Sequence, residues 1–286
     1  MIQSLKLIEC PRDAWQGYHP FIPTQQKVEY LNQLLKVGFD TIDFGSFVSA
    51  KAMPQVSDTA LLLDQLDTAS SRSKLLAIVA NERGAAEACG FKQIGYLGFP
   101  FSISETFQRR NTNATIADSV ERVRNICELA SRNEKEVVIY ISMGFGNPYG
   151  DPWEPGIVME WISKLSNLGV SIFSLSDTVG VASSEAITSL FSELIPHYPH
   201  LEFGAHFHTK PAEWREKIEA AFAAGCTRFD GALLGYGGCP MAQDELVGNM
   251  PTEKLVDFAI EKQSPLNLDF AALETARALF LDLVKS

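Results

Sequence analysis

The chain has 286 residues, 46% of them hydrophobic, and a formal net charge of −11. That acidity argues against nucleic acid, whose binding relies on concentrated Lys and Arg, but leaves room for an anionic small molecule met by a few local cations. The longest apolar runs are strand-sized, well short of the roughly 20 residues needed to cross a bilayer.

Met1-Ile2-Gln3-Ser4 lacks the basic and apolar segments of a signal peptide. Five scattered cysteines without a Cys-x-x-Cys pair fit a reducing compartment, most of them as small core residues. The expectation is a soluble cytoplasmic protein with neither membrane nor nucleic acid as partner.

Short β-rich runs alternate along the chain with segments of helical period. Strands are predicted at residues 5–10, 41–47, 74–80, 93–100, 136–143, 171–177, 202–208 and 228–235. Helices are predicted at 24–37, 115–132, 155–168, 183–197 and 211–224, with Thr24 and Thr115 as N-caps and Gly38, Gly169 and Gly225 as C-terminal glycines. Eight strands with helical connections, spaced by about 30 residues, predict a (β/α)8 TIM barrel. A doubly wound open sheet would carry a glycine-rich phosphate turn after its first strand; here that strand runs into Pro11-Arg12-Asp13. No interdomain linker is visible, so residues 1–286 are expected to form one barrel domain, with residues 255–286 as one or two flanking helices.

A barrel enzyme carries its chemistry where the strands end, at their C-terminal side. After the first strand come Arg12, Asp13 and Gln16. An Arg-Asp pair there is either a structural salt bridge or a working pair, with Asp13 a ligand for a hard cation and Arg12 a stabiliser of an oxyanion. Asp43, inside the apolar run Ile-Asp-Phe-Gly, must be paired in a polar network or catalytic; Met53-Pro54-Gln55 can be a turn. Residues 101–113 read as a long loop over the barrel mouth, whose Arg109 and Arg110 meet phosphates or solvent. Residues 144–150 form a turn without a phosphate fingerprint. Asp177 and Thr178 bind substrate or cap the next helix.

The seventh strand ends in His206-Phe207-His208. Alternate residues share a face, so both imidazoles project together, as half of a divalent-metal site or as two unrelated polar residues. After the eighth strand, Gly235-Tyr-Gly-Gly-Cys239-Pro presents a thiol that transfers protons or is an inert cysteine. Asn249 follows ten residues later. One Asp, two His and one Asn oxygen, with positions left for substrate and water, describe a Mg²⁺ or Mn²⁺ site; Zn²⁺ prefers nitrogen and sulfur.

Taken together, Cys10-Pro-Arg-Asp-Ala-Trp-Gln16, Ser46-Phe-Val-Ser-Ala-Lys51 with Pro54-Gln55, Ser176-Asp-Thr-Val-Gly180, His206-Phe-His208, and Gly237-Gly-Cys-Pro240 with Asn249 resemble 3-hydroxy-3-methylglutaryl-CoA lyase, a family of metal-dependent TIM-barrel enzymes. The resemblance runs from about Lys6 to Glu253, with the motifs in order.

It implies cleavage of a 3-hydroxy-3-methylglutaryl thioester to acetoacetate and acetyl-CoA, in acyl-CoA metabolism such as leucine degradation. It implies Asp13, His206, His208 and Asn249 as metal ligands, and Arg12, Asp43, His208 and Cys239 as catalytic residues. Gln16 and Thr178 are the candidate substrate-binding side chains, an acyl-CoA the small-molecule partner, and a homodimer the assembly.

The chain also departs from the family. Thr209-Lys210-Pro211 stands for Asp-Thr-Tyr-Gly, which removes an acidic neighbour of the site and adds a cation near it. Ala14-Trp15 stands for Gly-Leu, Asp43 for a glutamate and Asn147 for a cysteine, and Tyr236 and Met241 also differ. The acyl group can therefore differ from methylglutaryl. Two other readings compete: a Claisen-condensing acyltransferase of the isopropylmalate or homocitrate synthase type, and an inactive barrel kept as a scaffold. The glycine-cysteine-proline loop and the retained polar set speak for the lyase.

Overall fold

All eight predicted strands form, and they pair in sequence order into a closed parallel barrel, with β1 also paired to β8. The computed structural model describes residues 4–238 and 247–285. Its elements are β1 (Lys6–Glu9), α1 (Pro11–Trp15), α2 (Thr24–Val37), β2 (Thr41–Ser46), α3 (Thr59–Leu63), β3 (Lys74–Ile78), α4 (Glu82–Cys89), β4 (Ile94–Ser102), α5 (Glu105–Thr112), α6 (Ile116–Arg132) and β5 (Glu136–Ser142). There follow α7 (Pro155–Ser166), β6 (Ile172–Asp177), α8 (Ser184–His197), β7 (Glu202–Phe207), α9 (Trp214–Ala223), β8 (Arg228–Gly231), α10 (Thr252–Glu261) and α11 (Phe270–Leu283). This is the (β/α)8 TIM barrel that the alternation of strand and helix predicts.

Local chemistry accounts for most boundaries. The expected C-terminal glycines close α2, α7 and α9 with φ of +80°, +97° and +97° at Gly38, Gly169 and Gly225. Thr115 caps α6 in a reciprocal box with Asp118. Thr24 does not cap α2. It is that helix's first residue, preceded by Pro23, and its hydroxyl donates to Asp58 instead. The expected loop over 101–113 is also corrected. β4 runs on to Ser102, Ser104 caps the next turn by accepting from Phe107 N, and residues 105–112 are α5. β8 stops at Gly231, before a 3-10 turn at Leu233–Gly235.

Alternation along the strands separates two apolar layers. Leu97, Phe99 and Phe101 of β4 pack with the surrounding helices, whereas Leu76, Ile78, Tyr96, Val138, Tyr140 and Ile172 form a smaller cluster from alternate positions of β3–β6. A Cβ on Gly98 would come within 2.6 Å of Ile78 Cδ1 and 3.1 Å of Tyr140, so glycine makes room for that inner layer. Cys10 and Cys226 are buried and Cys89 and Cys127 half-buried against the core, all four as free thiols.

The C-terminal helices seal the side where the chain begins. Tyr30 of α2 meets Phe280 of α11 at 5.3 Å between ring centroids, and Gln33 donates to the Ala272 carbonyl at 3.0 Å. Pro54-Gln55 is more than a turn. The Gln55 side chain accepts from Ile22 N (3.1 Å) and donates to the Tyr18 and Pro20 carbonyls (both 2.8 Å), and buried Lys27 donates to the Gln55 carbonyl while pairing with Asp58 at 2.9 Å. One amide thus holds residues 18–22.

Glu9, fully buried on β1, accepts from Leu233 N at 2.9 Å and from the Thr252 hydroxyl at 2.5 Å. Burial outweighs those hydrogen bonds and pushes its carboxyl up from 4.5 to about 8. Between those values the folded protein holds a proton that the unfolded chain has released, so this group's contribution to stability falls as pH rises and is lowest above about 8. Glu9→Gln, which mimics the neutral acid, is expected to melt higher than wild type at pH 9 and equally at pH 5. Equal melting temperatures at both pH values would refute the assignment.

Candidate active site

Helix α1 begins directly after β1, with Pro11 as its first residue, and all five of its residues are buried. This turns Arg12 and Asp13 into the barrel mouth. Arg12 Nε lies 3.2 and 3.1 Å from the two carboxylate oxygens of Asp43, and Nη2 lies 2.5 Å from Oδ2. Nη1 donates to Asp13 Oδ1 (3.1 Å) and to Gln16 Oε1 (2.9 Å), and Gln16 Nε2 returns a hydrogen bond to Asp13 Oδ1. Burial would lower the Arg12 guanidinium, but Asp43 and Asp13 hold it above its ordinary value. Burial raises Asp43 to about 6 despite Arg12. Burial would raise Asp13 too, but Arg12 and the two histidines outweigh it and leave that carboxyl below its usual range.

The histidines at the end of β7 approach the same carboxylate. His206 Nε2 lies 3.8 Å and His208 Nε2 3.9 Å from Asp13 Oδ2. Their other nitrogens are occupied: His206 Nδ1 is 3.2 Å from Asp230 Oδ2, and His208 Nδ1 donates to the Thr178 carbonyl at 2.9 Å. Burial, then the neighbouring His206, lower the His208 imidazole, which favours its neutral, lone-pair-bearing form. Asp13 Oδ2 and His208 Nε2 are buried without any hydrogen-bond partner, a costly state for two polar atoms unless a ligand completes them. One donor atom each from Asp13, His206 and His208 lies within 4.8 Å of the others. An ionised carboxylate and two imidazoles, two of whose donor atoms are orphaned, fit a divalent cation.

These groups face a cavity of about 630 Å³, lined by Arg12, Asp13, Gln16, Thr178, His206 and His208 and, toward its rim, by Val48, Met53 and Arg110. Asn249 reaches the cluster because residues 248–250 pair across the end of β7: Thr209 N donates to Gly248 O, Met250 N donates to Phe207 O, and His208 bridges Asn249. Its Nδ2 donates to the Tyr236 carbonyl at 2.9 Å. Gly237 (φ +101°) passes so close that a Cβ would fall 2.6 Å from both Asn249 Nδ2 and the Asp13 carbonyl. The Thr178 hydroxyl accepts from Met143 N at 2.9 Å, and its residue lines the cavity. Cys239 and Met241 lie outside the described residues.

Several predicted residues have other work. Asp43 is fully buried behind Arg12. The Asp177 carboxylate accepts from Val181 N and Ala182 N in the loop before α8 and does not cap that helix, whose cap is Ser183 accepting from Ala186 N. Asn147 binds its own turn through Asp151 and Tyr149. Lys210 adds no cation to the site. It is mostly exposed, pairs with Glu213 at 3.8 Å and does not line the cavity. Arg109 pairs with Glu105 in solvent, while Arg110 reaches the rim and stacks on Tyr149.

Sequence reasoning missed Lys217, whose buried Nζ meets Asp177 Oδ2 (2.7 Å) and the Gly180 and His208 carbonyls (both 3.1 Å). It also missed Arg228 and Asp230, charged residues at alternate positions of β8. Their spacing alone would have flagged them as sharing one face.

A parallel barrel with a buried cation, a carboxylate and two imidazoles at the C-terminal ends of its strands defines a barrel enzyme. Residues 6–280 match the HMGL-like family model, and the chain belongs to that family. It is 31% identical over 278 residues to the 3-hydroxy-3-isohexenylglutaryl-CoA/hydroxy-methylglutaryl-CoA lyase of Pseudomonas aeruginosa, covering 96% of this chain and 91% of that one. It is 30% identical to the cytoplasmic 3-hydroxy-3-methylglutaryl-CoA lyase of Danio rerio over 88% of this chain and 75% of that one. Among solved structures, an HMG-CoA lyase from Acinetobacter baumannii, in complex with coenzyme A and 3-methylmalate, superposes with a TM-score of 0.90 at 28% identity, covering 99% of this chain and 92% of the other.

Lys217→Met leaves the Asp177 charge buried without its cation and is expected to cost about 3–5 kcal/mol, read by urea denaturation. The double variant with Asp177→Asn should recover part of that loss. A single variant within about 1 kcal/mol of wild type would show that Lys217 compensates nothing.

Proposed function

We propose that this chain, one barrel domain throughout, cleaves a 3-hydroxy-3-methylglutaryl-CoA type thioester to acetoacetate and acetyl-CoA. The observation that carries this reading is the pair of orphaned atoms, Asp13 Oδ2 and His208 Nε2, facing His206 Nε2 beside the Arg12 guanidinium on one cavity wall. The named relatives are lyases for such thioesters, and the one solved with coenzyme A has the same fold over nearly the whole chain.

Asp13, His206, His208 and Asn249 would hold the cation, Mg²⁺ or Mn²⁺ in view of the two oxygen donors. When bound, such an ion makes a substrate hydroxyl more acidic and polarises a neighbouring carbonyl. The chain's own residues supply the rest. In breaking the C2–C3 bond of the tertiary alcohol, the hydroxyl proton passes to Cys239 in its thiolate form and the electron pair of the broken bond is left on the thioester as an enolate. Arg12, held rigid by Asp43 and Gln16, stabilises the enolate oxygen without having to reorient. Asp43 thus acts through Arg12 and does not touch substrate. His208 has Nδ1 committed to Thr178, and its Nε2, which no protein group fills, would be taken by the cation, so it serves as a ligand rather than a proton relay. Returning a proton to C2 falls to the Cys239 thiol. Arg110 at the rim is the cation best placed for the anionic arm of the acyl-CoA. The homodimer rests on the resemblance, and the cytoplasmic setting on the cysteine pattern.

The test is release of acetoacetate from 3-hydroxy-3-methylglutaryl-CoA with Mg²⁺ or Mn²⁺ and with chelator. Turnover should require metal and vanish in Asp13→Asn, His206→Ala and Cys239→Ala. Arg12→Lys should lower kcat by roughly 10²–10³-fold. Folded Asp13→Asn and His206→Ala proteins with full metal-dependent activity would overturn the assignment.

A further inference from the structure

The charges inside β8 have no role in the chemistry above. Asp230 is buried, and its Oδ2 accepts from the Ser174 hydroxyl at 3.1 Å and lies 3.2 Å from His206 Nδ1. Its Oδ1 has no hydrogen-bond partner and faces Arg228 Nε at 3.9 Å. Arg228, also buried, pairs with Glu202 at 3.0 Å. Its stem crosses the barrel over Gly204, where a Cβ would fall 2.8 Å from Arg228 Cδ. The β7–β8 interior is therefore shaped around an Arg228–Asp230 pair directly beneath His206.

An ionised carboxylate only accepts hydrogen bonds, so the hydrogen between Asp230 and His206 must sit on Nδ1. In the neutral imidazole that leaves the Nε2 lone pair on the side of Asp13. His208 is fixed the same way round, but by a neutral carbonyl. We propose that Asp230 is a positioning residue, which locks His206 in the Nδ1–H tautomer with Nε2 toward Asp13 and makes it the firmer of the two imidazole donors to a divalent cation. Carboxylate partners of this kind orient a ligating histidine and raise its basicity. The inference rests on the metal reading given above. Cys10 Sγ also lies within 4.8 Å of His206 and Asp230 donor atoms, so a cation on the Nδ1 side is the competing arrangement.

The experiment pairs ¹⁵N imidazole NMR of the metal-free protein with Mn²⁺ titration calorimetry, on wild type and Asp230→Asn. Wild type should show His206 protonated at Nδ1. The variant should show mixed tautomers and bind Mn²⁺ roughly 10–100-fold more weakly. Because Asp230→Asn alone takes from Arg228 one of its two carboxylate neighbours, the double variant Arg228→Met/Asp230→Asn is measured as well and should show the same loss. Mn²⁺ affinity within about twofold of wild type in either folded variant would overturn the proposal, as would an Nε2–H tautomer in wild type. A sulfur-to-Co²⁺ charge-transfer band abolished by Cys10→Ser would overturn it by placing the cation on the Nδ1 side. A wild type that takes up no divalent cation would remove the metal reading and this inference together, an outcome distinct from equal binding by wild type and variant.

Discussion

The arrangement of the barrel mouth depends on one buried cation. Arg12 is out of water, which is costly for a charge unless it is paired and hydrogen-bonded, and it has both: Asp43 behind it, Asp13 and Gln16 beside it. The two aspartates are the same residue type with opposite behaviour. Asp43 sits deeper and is raised to about 6 by burial, whereas Asp13, drawn also by His206 and His208, is lowered. Environment thus divides their labour. One carboxylate holds the arginine, and the other keeps an oxygen, Oδ2, unclaimed by the protein and turned to the imidazoles.

How much of this was legible in the sequence depended on how local its cause is. Short β-rich apolar runs, the His206-x-His208 spacing and the glycines closing α2, α7 and α9 all act within a few residues, and each reads directly. Helix α5 did not read because only Phe107 and Gln108 of its eight residues are buried, so it carries no apolar period. Its capping serine was the one usable sign. Charge pairing was the larger gap. Lys217 finds Asp177 across 40 residues and Arg228 finds Glu202 across 26, separations that the parallel pairing of neighbouring strands makes short in space. Lys210 lies two residues past the second histidine in sequence, yet the lysine that meets the His208 carbonyl is Lys217, seven positions later.

Three of the departures from the family, all at described residues, share a pattern. Asp43 reaches Arg12, which tolerates a shorter side chain because the arginine does the reaching. Asn147 spends its amide on the turn that follows β5. Lys210 turns to solvent. Each change falls behind the cavity wall or away from it, while Arg12, Asp13, His206 and His208 line the cavity.

The seam of the barrel has a consequence for the order of events during synthesis. β1 pairs with β8, and α2 is covered by α11, so the first strand and the first long helix find their partners among residues 228–283. A nascent chain leaving the ribosome holds β1 to β7 with an open edge and the apolar face of α2 bare until nearly the whole sequence has emerged. Contacts of such long range form late and slowly. The barrel cannot close until β8 is available to pair with β1, and until then its open edge is free to pair with other chains.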